Sequence, residues 1–64
     1  DFVQAGILVR EVFTDEQRDR FVETLAGQYL SLTRDEVKAR FLWYWGEVDA
    51  TIAERVRSVV SQVN

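Results

Sequence analysis

The sequence predicts an all-α domain, a compact bundle of four short helices, and three observations carry that prediction. The chain has 64 residues and no proline, and its three glycines stand far apart at positions 6, 27 and 46, so the punctuation of a β-rich domain is missing. In the last segment Ile52, Val56, Val59, Val60 and Val63 recur at steps of three and four, the period of a single helix stripe. Two start signals, Thr14 with Gln17 and Thr33 with Glu36, have the spacing of a capping box. There the hydroxyl accepts from an orphan N–H and the longer side chain reaches back to the cap.

These signals divide the chain into helices at residues 2–12, 15–30, 34–46 and 50–62. The first lies ahead of the Thr14 signal and the second opens on it. The third opens at Thr33, with Leu32 before the cap and Val37 after it at the spacing of a hydrophobic staple. Asp49 caps the fourth, where its carboxylate meets the positive end of the macrodipole. β-Branched residues weaken that helix locally, but the period outweighs them. Connections this short force successive helices to turn sharply and pack as neighbours.

Size and charge exclude several functions. A domain this small removes only roughly 60 % of its unfolded surface from water. With no cysteine and no histidine, neither disulfides nor a Cys/His zinc site can reinforce it. A covering partner is therefore expected, and a chain beginning at Asp1 is expected to be one piece of something longer. Eight basic and eleven acidic residues are interleaved, leaving a net charge of −3 and no concentrated cationic face for nucleic acid. No apolar run approaches the roughly 20 residues that span a bilayer, and the absence of cysteine fits a cytoplasmic setting.

Candidate chemistry is sparse. Asp15, Asp19 and Glu23 share one helix face, but such faces are ordinarily solvated, Arg18 and Arg20 stand nearby, and a di-iron site would require histidine. No metal site is expected. Ser31, Ser58 and Ser61 have no histidine base, and Lys38, the single lysine, sits among surface charges. No glycine-rich loop could cradle a phosphate. No catalytic residue is expected in this segment.

The run Phe41-Leu42-Trp43-Tyr44-Trp45 encircles its helix. At about 100° per residue, Val37, Phe41, Tyr44 and Trp45 form an inward stripe, while Leu42 and Trp43 turn progressively away, Trp43 by about 160°. Leu42 and Trp43 are the expected interface residues, covered by another chain or domain. Membrane contact fits less well, because Glu36 and Glu47 flank the aromatics and no cationic face accompanies them.

The order of the pieces resembles the C-terminal helical region of monofunctional haem catalases, the catalase-related immune-responsive domain. The likeness is carried by Asp1-Phe2, Gln4-Ala5-Gly6, Leu8, Arg10, Glu16, Arg18, Arg20, and Glu23 followed by Leu25-Ala26-Gly27. It continues through Arg34-Asp35-Glu36-Val37, Arg40, Val48-Asp49 and Glu54-Arg55-Val56. Val9, Gln28, Ala50 and Ala53 depart from the family pattern, and the aromatic run is richer than usual. The resemblance implies a non-catalytic appendage to an enzyme that converts hydrogen peroxide to water and oxygen at a buried haem. In such enzymes the haem ligands and catalytic residues lie in a preceding β-barrel and arm. In relatives that bind NADPH, the nucleotide lies between barrel and helices. Gln4 and Leu8 occupy the positions that would edge that pocket.

Two functions follow. One is a helical domain that packs on a catalase barrel, or on a neighbouring subunit, and supports oligomer assembly. The other is a stand-alone interaction or dimerisation module derived from that appendage. What precedes Asp1 in the encoded chain separates them.

Overall fold

The computed structural model describes residues 1–63, and every regular element among them is helical. The order is α1 (Phe2–Ile7), a π-helical continuation (Leu8–Val12), α2 (Asp15–Ser31), α3 (Asp35–Val48) and α4 (Ala50–Ser61). The expected four-helix bundle is present, with extents of 31 × 23 × 15 Å. One element differs in kind: the stretch expected as a continuous first helix changes register after Ile7.

α4 is the centre of the bundle. It packs against both α2 and α3, whereas α1 leans on α3 from the side. That position explains why α4 has the clearest apolar period in the sequence, since a helix touched from two sides needs a broad stripe. Ile52, Ala53 and Val56 are buried, Val59 and Val60 are half-buried, and Val63 lies beyond the helix end and is exposed. Around them close Val9 from the π-helical turn, Val22, Leu25 and Ala26 from α2, and Val48 from α3. Gly46 faces Ala53 of α4, and a Cβ there would meet the Ala53 Cβ at 3.8 Å, an ordinary contact.

Of the start signals, two form as expected and one does not. Thr14 Oγ1 accepts from the Gln17 N–H at 3.1 Å, and Gln17 Oε1 accepts from the Thr14 N–H at 2.9 Å, a closed capping box. Asp49 Oδ1 accepts from the Ile52 N–H at 3.0 Å and starts α4. The Thr33–Glu36 box is absent. The cap is Arg34, without a side-chain bond to the helix end, and its guanidinium instead pairs with Glu36 at 2.6 Å. A carboxylate held by an arginine does not reach back to a cap N–H, and α3 opens one residue later than a Thr33 cap would set it. Val37 accordingly stays exposed.

The aromatic run is rotated relative to the expected stripe. α3 extends to Val48, which is 3 % exposed, and its buried side carries Val48, Phe41 and Trp45, with Leu42 packed at its margin. Tyr44, expected inward, is 43 % exposed at the edge of that side. Leu42, expected to point away, is half-buried against the core. Trp43 is 54 % exposed, as helical arithmetic from Phe41 and Trp45 requires.

A seam of edge-on and tilted rings joins the elements. Phe13 meets Phe21 with centroids 5.5 Å apart, Phe21 meets Trp45 at 5.3 Å, and Tyr29 meets Phe41 at 6.0 Å. Such pairs add modestly to the area they bury, and they fix how α2 lies against α3.

Candidate functional site

Among the described residues no polar or charged residue is buried, and no group of carboxylates is placed to hold a metal ion. Asp15, Asp19 and Glu23 are exposed; Asp15 pairs with Arg18 at 3.0 Å and Asp19 with Arg55 of α4 at 2.7 Å. Haem does not fit this chain. There is no histidine, and the tyrosines pack by their rings on surface-edge partners with no enclosed cavity around them among the described residues, Tyr29 against Phe41 and Lys38 and Tyr44 against Phe2 and Trp45.

What the fold does build is a fixed first helix with an uncovered side. Its inner side presents Phe2, Ala5, Gly6, Val9 and Phe13 to the bundle. Gly6 is buried where α1 crosses the end of α3: a Cβ there would lie 2.7 Å from the Val48 carbonyl oxygen, so glycine is required by close approach. Arg10 passes over Gly6 and donates through Nη1 to the Val48 carbonyl at 3.3 Å and to Asp49 Oδ2 at 3.2 Å. Asp49 thus caps α4 with one oxygen and anchors Arg10 with the other. Four residues that carry the family resemblance, Gly6, Arg10, Val48 and Asp49, meet at this junction of α1, α3 and α4.

The outer side of the same helix carries Val3, Ile7, Leu8 and Val12, exposed by 69, 43, 44 and 62 %, interrupted by the exposed Gln4 and Glu11. A helix apolar on both sides is the pattern of a helix buried on both sides. Val3, Ile7 and Val12 were not singled out in the sequence, although their apolar character on the side opposite Phe2, Ala5 and Val9 was readable there. Gln4 and Leu8 lie on this outer side one turn apart.

Trp43 sits at the N-terminal end of this helix. Phe2 packs edge-on against Trp43 at 6.0 Å and against Tyr44 at 5.2 Å, and Arg40 lies 5.9 Å from the Trp43 ring. Ala39, Arg40 and Trp43 line a shallow cleft of about 340 Å³. Leu42 does not join this surface to the extent expected, because its side chain is committed in part to the core.

These features define a class: a small helical bundle whose first helix is apolar on the side facing away from its own core. The chain matches the family model "Catalase-related immune-responsive" over residues 1–60 and belongs to that family. Comparisons with curated proteins and with solved structures give no significant match. No helix among the described residues is long and apolar enough to cross a membrane.

Proposed function

We propose that this chain is a non-catalytic helical domain of a haem catalase, packing on the β-barrel and supporting oligomer assembly. The observation that carries the reading is the outer side of the first helix. Val3, Ile7, Leu8 and Val12 expose an apolar row on a helix locked to the bundle by Arg10, so docking requires little reordering. The chemistry of peroxide disproportionation then belongs to haem and to residues of the barrel. Gln4 and Leu8 edge the NADPH pocket from the helical side. The lack of cysteine suits a cytoplasmic assembly.

A second reading is a stand-alone interaction module that dimerises or binds another protein through Trp43 with Leu42. It is favoured by the exposed Trp43 ring beside Tyr44, Phe2 and Arg40. The two readings use different surfaces and are separable by mutation.

The test mixes this chain with a haem-catalase barrel core stripped of its own helical region and follows association by sedimentation. Wild-type chain is expected to co-sediment, Ile7→Glu with Val12→Glu to remain free, and Trp43→Ala to bind. Free wild-type chain beside the barrel, or self-association abolished by Trp43→Ala alone, would overturn the first reading in favour of the second. The isolated chain is expected to consume no peroxide above buffer. Sustained turnover without added haem protein would contradict both.

A further inference from the structure

The register change in the first helix has an identifiable holder. In an α-helix the Phe13 N–H would bond to the Val9 carbonyl, four residues back. Here it bonds to the Leu8 carbonyl at 3.0 Å, five residues back. The Val9 carbonyl instead accepts Arg18 Nε at 3.0 Å. The same guanidinium donates through Nη2 to the carbonyls of Arg10 and Phe13 at 3.3 and 3.4 Å, and its Nη1 is tied to Asp15 at 3.0 Å. Arg18 thus occupies the acceptor that the α register would use, and it satisfies carbonyls that the end of a helix leaves orphaned.

We propose that Arg18 is a positioning residue: it latches Leu8–Val12 in the π register, and that register sets the outer apolar row of the first helix. In the α register Gln4, Leu8 and Val12 would drift by about 40° per step, leaving Val12 about 80° from Gln4. The wider register turns each residue by roughly 80° instead, which returns Val12 to within about 10° of Gln4 and brings it from about 140° to about 60° from Ile7, its offset from Leu8 staying about 40°. By the same arithmetic Arg10 falls within about 15° of Gly6, and this is how it reaches Val48 and Asp49. Lysine cannot replace the arginine here. An ammonium on a flexible stem is a point donor, whereas the planar fork spans three carbonyls and a carboxylate in fixed directions. The consequence for docking rests on the function proposed above; the register itself does not.

The test is solution NMR on the 64-residue chain, using couplings transmitted through hydrogen bonds. In the wild type the Phe13 amide is expected to couple to the Leu8 carbonyl, and the Arg18 Nε–H to exchange at least about tenfold more slowly than that of the exposed Arg57. In Arg18→Met the Phe13 amide is expected to couple to the Val9 carbonyl instead, with Arg18→Lys shifted part of the way. An unprotected Nε–H in the wild type, or retention of the Phe13–Leu8 coupling in Arg18→Met, would overturn the proposal. An unprotected Nε–H or a missing Phe13–Leu8 coupling in the wild type overturns the proposal even if the methionine variant does not fold, and Arg18→Lys then supplies the register comparison. In the barrel-binding assay Arg18→Met is expected to bind at least about tenfold more weakly than wild type. If wild-type chain fails to bind the barrel while these couplings stand, the docking function falls and the latch remains.

Discussion

At the scale of single residues, two glycines in helices have opposite roles, and the same substitution separates them. At Gly6 a methyl group would collide with a backbone carbonyl, which cannot move aside as a flexible side chain could. Gly6→Ala is expected to destabilise the domain by about 1–3 kcal/mol in urea unfolding. At Gly27, on the exposed side of α2, a Cβ would meet no atom within 4 Å. Gly27→Ala should therefore stabilise the isolated chain by about 0.5–1 kcal/mol, the helix-propensity difference alone. Equal signs for the two variants would show that the α1–α3 crossing is looser than drawn. In the sequence the two positions read alike, each a glycine after an alanine.

At the scale of elements, capping boxes show where local sequence suffices. Thr14 and Gln17 find each other because nothing competes for either side chain. Glu36 has Arg34 two residues away, and an ion pair takes it out of the box. Thr14→Ala is expected to lower stability by about 1 kcal/mol, whereas Thr33→Ala should stay within about 0.5 kcal/mol of wild type. A large loss from Thr33→Ala in thermal unfolding would mean that the hydroxyl does cap α3. The rotation of α3 is a tertiary outcome of the same kind. Periodicity among five consecutive large apolar residues does not choose an orientation, and the choice falls to the neighbours they meet: Leu42 packs against the core, while Tyr44 stays at the edge beside Phe2.

At the scale of the whole molecule, a few small apolar side chains at the centre of the bundle hold four short helices together. Leu25 is among the largest fully buried side chains, and every helix packs on the cluster it belongs to. Leu25→Ala is expected to cost about 2–5 kcal/mol, comparable with the entire stability of a domain this size. The variant should be largely unfolded by circular dichroism when isolated. Mixed with a barrel core it is expected to regain helicity, since a partner that binds only the folded form raises apparent stability by mass action. Helicity unchanged by an excess of barrel would contradict the docking function.

The sequence by itself determined the helical class, the number of helices, two of the three start signals and the central stripe of α4. All of these are set by neighbours within about four residues along the chain. It also carried the family, through an order of residues whose purpose only the folded chain makes plain: Gly6, Arg10, Val48 and Asp49 are up to 43 positions apart and share one junction. Tertiary structure alone decided the π register after Ile7, the rotation of α3 that turns Leu42 in and Tyr44 out, and that the outer apolar row of the first helix stays uncovered. The register involves the Arg18 guanidinium of α2, the rotation of α3 the packing of Leu42 on the core, and the uncovered side of the first helix the bonds from Arg10 to Val48 and Asp49. No local period encodes a partner that arrives from elsewhere in the chain.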